Sequence, residues 1–134
     1  MSKPTDIQVS AAEVHFLSSP MRVPLKFGPE TVTSAVFLRV KVTVHDDKGR
    51  TAIGWGETPL SVSWVWPSTL SVAVRTERMK SFSELLAKKI VSSGLRGHPM
   101  EIGQDFISRL NRDYFKASLK EGFKKEKKAG SDGA

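Results

Sequence analysis

Residues 32–45 constrain the fold more than any other part of this chain, because apolar and polar side chains alternate through them. Val36, Leu38, Val40, Val42 and Val44 take one side, and Phe37, Arg39, Lys41, Thr43 and His45 take the other. A period of two predicts a strand with one buried face and one wet face. Asp46-Asp47-Lys48-Gly49 supplies turn chemistry, with Gly49 free to take positive φ, and residues 51–57 are expected to return as an antiparallel partner. Upstream, Ile7, Val9 and Ala11, then Val14 and Phe16, mark a first strand over 7–16 with an irregularity near Ala11-Ala12. The three segments predict a β-meander.

Between the first two strands, residues 18–29 hold Pro20, Pro24, Pro29 and Gly28, which argues against regular helix or a central strand. A long loop is expected there, docked by the interleaved Met21, Val23, Leu25 and Phe27. All three tryptophans fall in one short passage, Trp55 inside the third strand and Trp64 and Trp66 in the segment after Pro59. If that segment is extended, both later indoles point the same way and should cover something. Trp55 reads as core.

After Pro67 the period changes. Ser68 can cap a helix reaching about Arg78, and Ser81-Phe82-Ser83-Glu84 matches a capping box for a second helix ending near Gly94. His98-Pro99-Met100-Glu101 opens a third helix, with Ile102, Phe106, Ile107, Leu110 and Tyr114 at helical spacing. The fold class expected is α+β: a three-stranded antiparallel β-meander followed by about three α-helices. One folded unit is expected over 1–115, followed by a basic, disordered tail over 116–134.

The chain has 134 residues, a hydrophobic fraction of 39% and no cysteine. That suits one domain with a core, and excludes a disulfide framework, a thiolate nucleophile and a Cys-based zinc site. Neither a signal peptide nor a membrane-crossing run is apparent, so a cytoplasmic protein is expected. The net charge of +7 is uneven: residues 1–115 carry +4 and residues 116–134 carry +3. Mixed signs in the folded part lack the dense basic face of a phosphate binder, so nucleic acid is not the expected partner. His15, His45 and His98 are far apart, and His45-Asp46-Asp47 is explained by the hairpin, so no metal site is expected.

The ordered combination of a meander, the segment Pro20-Met21-Arg22-Val23-Pro24-Leu25-Lys26-Phe27-Gly28 between its first two strands, Gly54-Trp55-Gly56-Glu57-Thr58-Pro59 ending the third, and helices beyond resembles the N-terminal capping domain of the mandelate racemase and muconate lactonising enzymes of the enolase superfamily. The resemblance runs from about Ile7 to Tyr114. It implies a cap over the mouth of a (β/α) barrel, with loops 18–29 and 57–67 shaping a pocket for a carboxylate substrate. It implies pocket roles for Met21, Arg22, Val23, Leu25, Lys26, Phe27, Glu57, Trp64 and Trp66. Arg22 and Lys26 would attract the anion, and Glu57 would fix its loop by a hydrogen bond. Proton abstraction in that family uses barrel bases and a Mg²⁺ ion held by barrel acids, none of which this chain encodes. No turnover by the chain alone is expected, no cofactor within it, and a barrel domain, barrel chain or second copy as partner. Two alternatives remain open: a stand-alone module that binds small acids or oligomerises, and weak nucleic-acid binding through the tail.

Overall fold

A computed structural model describes residues 2–113. Their order is β1 (Ile7–Phe27), β2 (Glu30–His45), β3 (Thr51–Pro59), α1 (Val62–Val65), α2 (Val72–Ser92), β4 (Arg96–Gly97) and α3, helical over residues 99–113. The class is α+β, but the sheet corrects the expected three-stranded meander. Among the described residues it is four-stranded and antiparallel, in the order β3-β2-β1-β4. The fourth strand is short, pairing Arg96 and Gly97 with Gln8 and Ile7. Nothing in the local sequence announces it, since two residues are too few to show a period.

A second correction concerns residues 18–27. They continue β1 instead of forming a loop, and Leu25, Lys26 and Phe27 pair with Val32, Thr31 and Glu30. Proline is tolerated because β4 reaches only Ile7 and Gln8, so the far side of β1 has no partner strand at Pro20 and Pro24. Residues 21–24 bulge against the single residue Thr33, and Gly28, at φ +55°, closes the turn in a conformation that favours glycine. The irregularity expected near Ala11-Ala12 falls at Ser10, between the pairs Val9–Val44 and Ala11–Thr43. That extra residue keeps Val9 in phase with Ala12, Val14 and Phe16.

The helical part also differs from expectation. A single helix, α2, replaces the two expected over 68–78 and 81–94. Its cap is Ser71, whose Oγ accepts from the Val74 amide at 3.2 Å. The Ser81–Glu84 box lies inside it, because no Gly or Pro interrupts residues 72–92 and the Ser83 hydroxyl donates to Met79 O at 2.8 Å. Residues 61–66, expected to be extended, wind into the single turn α1. Pro99 opens α3, where proline is favoured, and Glu101 accepts from the His98 amide at 3.2 Å.

α2 packs on β1, and Ile102 of α3 lies beside Val9 and Val44. The fully covered apolar core is small: Val9, Leu60, Val62 and Ile102 among the described residues. Every residue of β3 is exposed. Among the described residues no helix is long and apolar enough to cross a membrane.

Candidate functional site

The site is built where the outer end of the β1–β2 hairpin meets the segment after β3. Pro59 ends β3, and the Leu60 amide donates to Val36 O at 2.8 Å, which turns the chain under the hairpin. Leu60 and Val62 are buried there, and α1 packs against α2. Between these elements runs a groove of about 140 Å³, with Met21, Leu25 and Phe27 on one wall and Leu60, Val62 and Val72 on the other.

Arg75 holds these parts together. Its side chain is fully buried, one turn inside α2. The guanidinium donates from Nε to Leu70 O at 3.0 Å, and from Nη1 to Val62 O at 3.2 Å and Trp66 O at 2.7 Å. Nη2 donates to Glu30 Oε1 at the hairpin tip. A planar fork with five donors suits this task, because three carbonyls and a carboxylate must be met from one point. The Ser63 hydroxyl meets no partner in strict geometry, yet it lies against Glu30. It and the Arg75 guanidinium hold the Glu30 carboxyl below its usual range, against the opposing effect of burial.

The aromatic flank of the groove stays open. Phe27 meets Trp64 edge to face, with ring centres 6.2 Å apart, but Trp64 is still 71% exposed. Val65 beside it and Val23 and Leu25 on the hairpin are also exposed. Arg22 and Lys26 stand exposed on the same arm. Because residues 62–65 are helical, Trp64 and Trp66 do not share a direction; Trp66 is half-buried and its carbonyl serves Arg75.

Two residues sit elsewhere. Glu57 accepts from Arg39 Nε at 2.6 Å across the β2–β3 pair, on the wet face of the sheet. Trp55 lies on that same face, not in the core: it is 60% exposed, 6.2 Å from the His15 ring and with Lys41 Nζ 6.0 Å from its centre. Its place follows from register, since Trp55 pairs with Lys41 and both belong to the polar phase of the alternation.

The sequence reading missed Arg75. The available signal was a cation set after the apolar positions Leu70, Val72 and Val74, near the start of a helix. Among the described residues no group of three His, Asp or Glu side chains is placed to hold a metal ion. The tail over 116–134 lies outside the described residues. No protein-family model, curated protein or solved structure matches this sequence.

Proposed function

We propose that this chain is a lid: the capping and substrate-selecting part of an enzyme of the mandelate racemase and muconate lactonising type, without chemistry of its own. The observation that carries the reading is the open apolar flank of Trp64, Val65, Val23 and Leu25, formed where the two segments that flank the pocket in such caps are joined through Arg75. Exposed apolar side chains gathered on neighbouring segments in this way favour a covering partner. In this reading the partner is a barrel domain or chain, whose acids hold Mg²⁺ and whose bases take the proton. The residues of this chain exclude water and shape the pocket, with Met21, Leu25 and Phe27 forming an apolar wall. Arg22 and Lys26 raise the local concentration of a carboxylate substrate. Cytoplasmic residence belongs to the same proposal.

The test mixes the chain with the barrel of such an enzyme stripped of its own cap, in Mg²⁺, and follows co-sedimentation and solvent deuterium entry α to the carboxylate of a panel of acids. The chain is expected to bind the barrel and restore exchange, and Trp64→Ala is expected to weaken both while leaving the fold intact. Absence of any complex, with exchange unchanged, overturns the proposal. Calorimetry of the chain alone with the same acids separates it from a stand-alone acid-binding module, which would give heat without a barrel.

A further inference from the structure

β3 is an edge strand, and its outer edge bears none of the usual guards. From Thr51 to Thr58 it has no lysine, no proline and no register shift against β2, and all of it is exposed. The ladder fixes which backbone groups are free. The Leu60 amide donates to Val36 O and the Asp46 amide to Arg50 O, and these two pairs bracket an unbroken register. In an antiparallel ladder hydrogen-bonded pairs alternate with non-bonded ones. Ala52, Gly54, Gly56 and Thr58 therefore turn their amides and carbonyls to β2, and Thr51, Ile53, Trp55 and Glu57 turn theirs outward.

We propose that two copies of this chain join edge to edge through β3, antiparallel, about a two-fold axis at Gly54. In that register Ile53 faces Trp55 of the second copy and Thr51 faces its Glu57, and all four are residues with free backbone groups. About eight new backbone hydrogen bonds complete the seam. Shifting the register by two residues in either direction sets Thr51 opposite Pro59, which has no amide to give, or sets Glu57 opposite Gly49 beyond the strand. The chosen register is self-complementary in side chains as well. Ile53 and Trp55, 57% and 60% exposed, form two aromatic–aliphatic cross-strand pairs on one face. On the other face only Ala52, Gly54 and Gly56 meet, and a Cβ added at Gly54 or Gly56 finds nothing of its own chain within 4 Å. No like charges oppose each other across the seam, because Glu57 is the only charged residue in β3. The join leaves the groove at Met21, Leu25 and Phe27 uncovered, so it is independent of the proposed barrel contact.

Sedimentation of the full chain over a range of concentrations is expected to show a dimer. Ile53→Pro removes an outward donor that the β2 ladder does not use and is expected to give a monomer with unchanged far-ultraviolet circular dichroism. Ile53→Lys serves the same purpose while keeping every backbone group, should the proline variant lose its fold. The register is read by disulfide trapping, since the natural chain has no cysteine. Gly54→Cys places two thiols across the axis at a non-bonded pair, with Cα atoms about 4.5 Å apart, within disulfide reach. In Gly56→Cys the two thiols lie about 13 Å apart along the strand. The first variant is expected to form a covalent dimer at least about tenfold faster than the second. A chain that is monomeric at every concentration, a dimer that survives both Ile53 variants, or equal trapping rates would each overturn the proposal.

Discussion

Replacing Arg75 by Met tests whether one buried guanidinium organises the candidate site. The substitution preserves much of the apolar stem but removes every donor, leaving Leu70 O and Trp66 O without the guanidinium, Val62 O with only the Trp66 amide, and Glu30 without its cation. Removing one member of a buried pair costs about 3–5 kcal/mol. Here the Glu30 side chain remains 26% exposed and water can reach it, which places the loss near the lower limit, at about 3 kcal/mol. For a domain whose whole stability is about 5–15 kcal/mol, that is a large share. Urea unfolding followed by circular dichroism at equal slope gives the number, and tryptophan fluorescence in a Trp55→Phe background reports Trp64 and Trp66 separately from the bulk helical signal. The indole signal is expected to shift before the helical signal, because the lost donors hold the segment from Val62 to Trp66. Arg75→Lys keeps the charge facing Glu30 but lacks the fork, so it should recover only part of the loss. If both variants unfold within about 0.5 kcal/mol of the natural chain, the guanidinium is not the organising contact.

Acid should loosen two places, the Arg75 cluster and the start of α3. Glu30 and Glu101 both have carboxyl groups held below their ordinary value of 4.5, Glu30 by Ser63 and Arg75, and Glu101 by Lys3 and the His98 amide. The sign follows: their contribution is complete above that ordinary value and disappears as pH falls through the lower folded-state values. Urea midpoints measured down a pH series should decline there, with less decline in Glu30→Gln; a flat profile counts against these contacts. Ser71→Ala removes the side-chain cap of α2 and should cost about 1 kcal/mol by the same urea assay, whereas Ser68→Ala, outside the helix, should cost much less. The reverse order would restore a helix start at Ser68.

The alternation in residues 32–45, the Asp46–Gly49 turn and the helical spacing from Ile102 to Leu110 were legible without coordinates, because local periods differ between strand and helix; Tyr114 lies outside the described residues. With them came the α+β class, whereas the pairing of Glu57 with Arg39 on the wet face came only from the register of β2 against β3. Pro20 and Pro24 misled for a physical reason: proline is excluded from a strand only where its missing amide is needed, and that depends on whether another strand lies alongside. The capping box at Ser81 misled similarly, since a cap forms only where the backbone preceding it leaves the helix. Trp55, lying inside a strand, reads as core, although its phase with Lys41 sets it on the wet face.

Local pattern therefore determined β2, β3, the turn between them and the helical character of residues 102–110. Tertiary structure alone decided that a fourth strand would seal Ile7 and Gln8, that residues 18–27 would stay in the sheet, and that Arg75 would find Glu30 45 positions away. Those choices depend on contacts between segments distant in sequence, and a buried charge is stable only where the fold brings its partners within reach.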